Sequence, residues 1–361
     1  MDPKTSLVKA ISRPLELVSL GAEDWDTLLP LLSQHGLLGR LYRTYLAVGA
    51  LESIPEPVRR QLERGNAIAE AHQRMIRWEV NRIQRALEAV GGKFMLLKGA
   101  AYLLSGFPWA FARLTSDVDI MVDFSQLPAV EASLQAAGWR GAESDKYDDA
   151  YYREWMHELP PMQHTLRGSV IDVHHTILPR TSRLRPNPQL LWDSARALDP
   201  SGQMSVLSES DMLLHSAAHG FHHGELTNAF RDLVDIHDLA TQFANSSPGF
   251  WTKLPARAFE LDLARPLWYA LRYASRLIGT QVPDTVFSAL DPAAPPLLIR
   301  VVMDRLVQNV FLASEPASLS TRITRTTLLA RAHYLRMPLR LLLPHLARKS
   351  WRRVRVKPAP A

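Results

Sequence analysis

The 361-residue sequence has 47% hydrophobic and 22% charged residues, the proportions of a soluble globular protein, and is long enough for two domains or one core with helical additions. It contains no cysteine, which excludes disulfides, cysteine nucleophiles and cysteine-ligated zinc or iron–sulfur sites. It shows neither a secretory signal at its start nor an apolar run of the roughly 18 residues that a membrane span needs. We therefore expect a cytoplasmic protein.

The first part of the chain has the pattern of helices. Apolar residues recur at helical spacing over residues 22–45 and again over residues 58–90, where an apolar stripe alternates with Arg and Glu. Gly91 and Gly92 are suited to end the second of these helices. We predict that residues 1–90 form a helical region that packs against the sheet that follows.

Two strand-like runs come next, and the second carries acids. Residues 94–97 are apolar and typical of a buried strand, which Lys98 and Gly99 then interrupt. Asp117 and Asp119 lie two apart on the second strand, so their carboxylates share one face. Two like charges this close are costly unless a cation lies between them, and carboxylate oxygens suit Mg²⁺. The pattern predicts a magnesium site.

A third acid lies on a later strand-like run, residues 169–174, where Asp172 interrupts the apolar pattern. If this strand pairs beside the strand of Asp117 and Asp119, three carboxylates converge. Asp172 would then be a metal ligand or a general base for an acceptor hydroxyl; the alternative is a hydrogen-bonded acid at a sheet edge. His174 faces the same way as Asp172 and either orients a carboxylate, contacts the substrate or simply packs.

These motifs together resemble the polymerase-β-like nucleotidyltransferase superfamily and, more closely, a family of uncharacterised nucleotidyltransferases. The family pattern is Leu-Lys-Gly-Ala, then Arg and Asp-hydrophobic-Asp, then acid-hydrophobic-His. The matching residues are Leu97-Lys98-Gly99-Ala100, Arg113, Asp117-Val118-Asp119 and Asp172-Val173-His174. The wider superfamily has Gly-Ser or Gly-Gly where this chain has Gly99-Ala100, which fits the narrower family. The resemblance covers roughly residues 59–239.

The resemblance implies the fold class α+β, with a polymerase-β-like nucleotidyltransferase core made of a small mixed sheet and helices. Helical regions would flank this core on its N- and C-terminal sides. The predicted divisions are an N-terminal helical region at 1–90, the core at 91–180, a C-terminal helical domain at 181–320 and a basic amphipathic tail at 321–361.

We expect two Mg²⁺ ions, with Mn²⁺ as an alternative, to be held by Asp117, Asp119 and Asp172. The substrate would be an NTP, with ATP as the default. The residues expected to bind it are Lys98, Gly99, Ala100, Arg113, Ser116 and His174.

Several of these nucleotide-binding assignments have structural alternatives. Lys98 would place a charge beside the triphosphate, or it is a surface residue at a strand end. Gly99 would let the backbone approach phosphate at the start of a helix. Arg113 would bind a phosphate or pair with an acid, and Ser116 would contact phosphate or cap the strand.

Further histidines and acids follow on predicted helices. His215 and His219 have the i, i+4 spacing of zinc sites, but Ser216 stands where a zinc protease has Glu, so packing or surface roles are favoured. Asp235 and Asp238 are one turn apart, and helical salt bridges explain them. A contact from Asp235 to a ribose or base is the alternative.

The tail from Thr321 is rich in Arg and Lys, interleaved with Leu, and contains no acid. The simplest interpretation is a last helix docked on the core with a basic end. A basic amphipathic segment is also able to lie on an anionic membrane surface, which would make the protein peripheral at the inner membrane face. Nucleic acid is disfavoured as a partner because the basic residues cluster in the tail and not around the acids.

The function that follows is Mg²⁺-dependent transfer of an NMP, with AMP as the default, from an NTP to a hydroxyl or similar acceptor. The acceptor would be a protein, a peptide or a small molecule. One alternative is a catalytically weak protein of the same fold, acting as an antitoxin-like or scaffolding partner. The others are a membrane-surface protein of a polysaccharide or secretion pathway, and a nucleic-acid polymerase or tRNA-modifying enzyme.

Overall fold

The chain folds around a mixed β-sheet that has helical regions before and after it in sequence. The computed structural model describes residues 2–141, 147, 150–223, 229–313 and 317–355. The predicted fold class, α+β with a small mixed sheet between helical regions, is confirmed.

The strands that the structure describes are β1 (Phe94–Leu96), β2 (Asp117–Met121), β3 (Trp139–Gly141), β4 (Met162–His164), β5 (Val170–His174), β6 (Arg196–Ala197) and β7 (Met204–Val206). Their order in the sheet is β3-β4-β5-β2-β1-β7-β6. β2 lies between β1, which is antiparallel to it, and β5, which is parallel to it. β1 and β7 are also parallel, and the remaining pairs are antiparallel. The strand with two acids is therefore central.

The helices before the sheet are α1 (Pro3–Ser12), α2 (Ala22–Gln34), α3 (Leu38–Ala47) and α4 (Glu56–Glu88). α4 is the predicted long helix, and its buried stripe includes Ile83 and Leu87. It ends before Gly91, whose φ of 61° lies in the left-handed region that favours glycine. α3 crosses α4 closely at Gly65, where a β-carbon would collide with Leu38. These contacts bring α3 and α4 together beside the sheet.

Two helices lie among the first strands, α5 (Lys98–Leu104) and α6 (Leu127–Ala136). α5 packs on β2, and α6 packs on α4. The later helices are α7 (Pro188–Asp193), α8 (Glu209–Ala218), α9 (Ala229–Ser246), α10 (Phe250–Glu260), α11 (Ala264–Tyr273), α12 (Asp284–Leu290), α13 (Leu297–Val310), α14 (Leu319–Arg336) and α15 (Leu339–Arg355). α8 is buried along most of its length and packs against α9, α10 and α11.

One hydrophobic core joins these parts. Buried apolar side chains form a continuous cluster that extends from Leu7 in α1 to Leu328 in α14 and includes the interior of the sheet. On β2 the residues between and after the acids, Val118 and Ile120, are buried in this cluster. The acids are thus carried by a strand that is fixed by packing on its other face.

The sequence pattern predicts a strand over residues 155–166, but this prediction is wrong for most of its length. Tyr151–Trp155 form a wide helical turn, Glu158 pairs with His174 in an isolated bridge, and Met162–His164 form the regular strand. Pro160 and Pro161 explain the break, because proline has no N–H to donate to a strand ladder.

The sequence pattern also predicts one helix over residues 255–278, but in the structure this helix is interrupted. α10 and α11 are separated at Asp262, whose φ of 58° is left-handed. Pro266 lies in the first turn of α11, where a missing N–H leaves no hydrogen bond unmade. β6 and β7 were not predicted, because strands of two or three residues are too short to show an alternating pattern.

The basic tail forms α14 and α15 as far as the structure describes it. α14 packs on the core through Leu328, whereas α15 leaves Trp351 exposed. Residues 356–361 of the predicted tail lie outside the described residues. Within the described part of the chain, no single helix has the length and apolarity to cross a membrane. The segments Asp284–Ala293 and Leu297–Val310 have that length and apolarity only when they are taken together, and the chain bends by 115° between them.

Candidate active site

Three acids meet on one face of the sheet. β2 and β5 are parallel neighbours, with Asp119 directly opposite Asp172 and Asp117 opposite Val170. Side chains at opposed positions of neighbouring strands point to the same face, so the carboxylates of Asp119 and Asp172 lie side by side. Asp117, two residues before Asp119, faces the same way at the start of the strand. Asp119 is 3% exposed, and the other two acids are half-buried.

Asp119 is held by two cationic or donor groups. The Lys98 Nζ donates to Asp119 Oδ1 at 2.8 Å, and His174 Nε2 donates to the same oxygen at 3.1 Å. Burial disfavours the charged carboxylate, but the Lys98 ammonium and the hydrogen bond from His174 hold the pKa of Asp119 well below its usual range. Asp119 is therefore ionised at neutral pH.

The pKa of Asp172 is shifted in the opposite direction from that of Asp119. Burial, together with the nearby Asp119 and Glu158 carboxylates, raises the pKa of Asp172 to about 7. Its Oδ1 is buried and accepts no hydrogen bond from the described residues. Burying an ionised oxygen without a hydrogen-bond partner costs free energy, so a proton or a bound cation would stabilise this carboxylate.

Lys98 and Gly99 begin α5, directly after the chain turns out of β1. Lys98 has a φ of 46°, a left-handed conformation that is strained for a residue with a β-carbon. A β-carbon on Gly99 would collide with the Arg113 guanidinium and with the Thr115 side chain. Ala100, the next residue, is buried. Gly99 is thus required for close packing of this turn against the segment that enters β2.

Arg113 pairs with an acid from the C-terminal helical region. Its Nε and Nη2 donate to Asp235 Oδ1 and Oδ2 at 2.8 and 2.7 Å, and its Nη1 donates to Thr115 Oγ1 at 3.0 Å. The Arg113 and Asp235 side chains are 14% and 11% exposed. Of the two contacts considered for Arg113, the structure contains the one with an acid. The pair fixes α9 to the segment that leads into β2.

Ser116 and His174 also have defined places. Ser116 is exposed, and its Oγ donates to Asp117 Oδ1 at 3.2 Å. His174 is buried between Asp119 and Glu158. Burial alone would lower the pKa of His174, but the hydrogen bond to Asp119 and the Glu158 carboxylate raise it above its ordinary value. His174 therefore orients the Asp119 carboxylate, which is one of the roles considered for it.

Residues 21–279 match the protein family described as an uncharacterised nucleotidyltransferase. This range is well over half of the chain and contains all three acids, Lys98 and His174. The chain belongs to this family. No curated protein matches the chain. Nucleotidyl transfer is thus the activity by which the family is described, and the acids on β2 and β5 lie inside the matched range.

Glu158 also belongs to the site, although it was not predicted from the sequence. The backbone at Glu158 pairs with His174 in an isolated antiparallel bridge, and its carboxylate lies 3.4 Å from His174 Nδ1. The signal in the sequence is a His157-Glu158 dipeptide between Met156 and Leu159, two residues that are buried. A charged residue between buried apolar neighbours faces another charged or polar group.

His215 also lies near the acids. It is buried in α8, and burial, with the Lys98 and His174 cations nearby, lowers the pKa of His215 to about 3. It is therefore a neutral imidazole at physiological pH. His219 Nδ1 lies 3.9 Å from an oxygen of Asp232 in α9. The two histidines are thus in different surroundings.

A cavity of about 390 Å³ is lined in part by Arg113 and Asp235. It is lined by the ends of several helices, and its polar residues include Arg40 and Arg231. Arg40 is paired with Asp238, and Arg231 donates to the Leu114 carbonyl at 2.8 Å. A cavity of this size is within the range of small-molecule sites.

Proposed function

We propose that this member of the family transfers an NMP from an NTP, with ATP as the expected donor, to a hydroxyl or similar acceptor in a Mg²⁺-dependent reaction. The observation that carries the proposal is the meeting of Asp117, Asp119 and Asp172 on neighbouring strands. Carboxylates crowded in this way are unfavourable alone and favourable around a divalent cation.

The donor set fits magnesium. Asp117 and Asp172 offer oxygens only, and the Asp172 Oδ1 is buried without a hydrogen-bond partner among the described residues. Together with Asp119 these residues would hold Mg²⁺, as two ions in the proposed scheme, with Mn²⁺ as an alternative. When bound, the cations supply positive charge that stabilises the attacking and leaving oxygens of phosphoryl transfer.

Lys98 would stabilise the negative charge of the phosphates. Burial works against its charge, but Asp119 raises the pKa of Lys98, so that it remains a cation at neutral pH. A quarter of its side chain is exposed, and its Nζ lies 2.8 Å from Asp119 Oδ1. A fixed cation in a partly buried place is an effective electrostatic stabiliser.

Asp172 would take the proton of the acceptor hydroxyl. A carboxylate that lies beside the acceptor hydroxyl is able to accept its proton. His174 would keep the Asp119 carboxylate in place, through the hydrogen bond of 3.1 Å. The cavity lined in part by Arg113 and Asp235 would hold an organic part of one substrate.

One observation favours the second candidate, a catalytically weak protein of the same fold. Asp119 Oδ1 already accepts hydrogen bonds from both Lys98 and His174, so a metal ion would bind Asp119 through Oδ2. A protein that keeps this closed arrangement would act as a scaffolding or antitoxin-like partner.

Incubation with each α-labelled NTP, Mg²⁺ or Mn²⁺ and cell lysate tests the proposal. We expect a labelled product with the wild-type protein, none with Asp119→Asn, and an unchanged amount with Asp123→Asn. Asp123 is a matched control because it is an exposed acid just beyond β2. Full activity in a folded Asp119→Asn variant contradicts the proposal. Mg²⁺-independent partner binding without a labelled product would favour the second candidate.

A further inference from the structure

A second group of potential metal ligands lies beside the acids. The segment before β4 runs along β5, where the Leu159 N–H donates to the Val173 carbonyl at 2.9 Å and the His175 N–H donates to the His157 carbonyl at 2.8 Å. This backbone pairing places Glu158 opposite His174. It brings the side chains of His157, Glu158 and His174 to one point.

The distances within this group suit a small metal ion. Glu158 Oε2 lies 3.4 Å from His174 Nδ1 and 3.8 Å from His157 Nε2. One ligand atom from each residue lies within 4.8 Å of the other two. Zinc bonds to nitrogen and oxygen are about 2.0–2.2 Å long, so the atoms around a tetrahedral ion lie about 3.3–3.6 Å apart. Small side-chain movements would complete such a site.

The hydrogen bond to Asp119 prepares His174 for this role. Because a carboxylate only accepts, Nε2 of His174 carries the proton in that contact, and Nδ1 offers its lone pair once a metal ion displaces the second ring proton. Nδ1 is buried, faces Glu158 and has no hydrogen-bond partner among the described residues. A carboxylate that holds one nitrogen of a histidine while the other binds metal is a recurrent arrangement.

We propose that His157, Glu158 and His174 bind a zinc ion, at a site distinct from the one that Asp117, Asp119 and Asp172 would form for Mg²⁺. Two imidazole nitrogens and one carboxylate oxygen favour Zn²⁺ over Mg²⁺, which prefers oxygen ligands. Three protein ligands leave one position open for water or a substrate atom. The ion would also fix the His174 ring and, through it, the orientation of Asp119.

Zinc titration of the full-length protein tests this site without reference to activity. The protein is stripped with a chelator and titrated with Zn²⁺ in competition with a chromogenic chelator, and bound metal is counted by mass spectrometry. Co²⁺ replaces Zn²⁺ in a parallel titration, followed by its visible absorption. We expect one ion per chain and the intense visible bands of four-coordinate Co²⁺.

Variants locate the ion. We expect His157→Ala and Glu158→Gln to weaken zinc binding by about tenfold or more. His175→Gln, at the neighbouring histidine, should bind zinc as the wild type does. Glu158→Gln keeps the shape of the side chain and carries the test if His157→Ala does not fold. The absence of stoichiometric zinc, or unchanged affinity in a folded Glu158→Gln variant, overturns the proposal. A protonated His174 that bridges Asp119 and Glu158 would then explain why these side chains lie close together.

Zinc binding and nucleotidyl transfer are separable. Asp117→Asn should keep the zinc ion and lose Mg²⁺-dependent nucleotide binding. A protein that binds zinc but never labels a product would refute only the proposed function, and one that labels a product without binding zinc would refute only the zinc site.

Discussion

Replacing Asp172 with asparagine measures the energetic cost of the crowded acids. Burial and the neighbouring Asp119 and Glu158 carboxylates raise the pKa of Asp172 from 3.8 to about 7 in the folded protein. The folded state therefore binds more protons than the unfolded state between these two values, and the free energy of unfolding falls as the pH rises through this window. The loss is complete above about pH 7, where it amounts to roughly 4 kcal/mol.

Asparagine has nearly the same shape as aspartate and does not ionise. Without divalent ions, we expect Asp172→Asn to be more stable than the wild type at pH 8, by up to about 4 kcal/mol, and the difference to disappear near pH 4. Urea unfolding in a chelator at several pH values, followed by circular dichroism, measures the difference. Asp26→Asn, at an exposed acid on α2, is the control and should change stability little. Equal stability of wild type and Asp172→Asn at pH 8 would refute the reasoning.

Three further predictions concern the turn and the pair that support the acids. Gly99→Ala should lower the free energy of unfolding by about 1–3 kcal/mol, measured in urea, because the new β-carbon collides with Arg113 and Thr115. Arg113→Met should cost about 3–5 kcal/mol, because it leaves the Asp235 carboxylate buried and unpaired. The double variant with Asp235→Leu should recover most of that loss, and no recovery would show that the pair is not the cause.

Local pattern was sufficient to predict the elements that carry the acids. The apolar runs around residues 94–97 and 169–174 form β1 and β5, and the period of two along β2 places Asp117 and Asp119 on one face. The long apolar stripe of α4 and the glycines that follow it predicted that helix to within two residues at either end. Each of these features depends on neighbours in sequence, which is why the sequence alone reveals it.

Contacts between distant residues could not be predicted in this way. Arg113 and Asp235 are 122 residues apart, and no local pattern relates them. Glu158 joins the site because an irregular segment next to two prolines pairs with β5, and that pairing depends on the folded sheet. The break at Asp262 depends on a single left-handed residue between two helical patterns.

Binding of a non-hydrolysable ATP analogue, measured by calorimetry at pH 8, tests most directly whether the acids hold a divalent cation. We predict binding in the presence of Mg²⁺ and none in a chelator. We expect loss of binding in both Asp117→Asn and Asp172→Asn, and normal binding in Asp123→Asn. Equal affinity with and without Mg²⁺, or full affinity in both acid-site variants, would contradict the account.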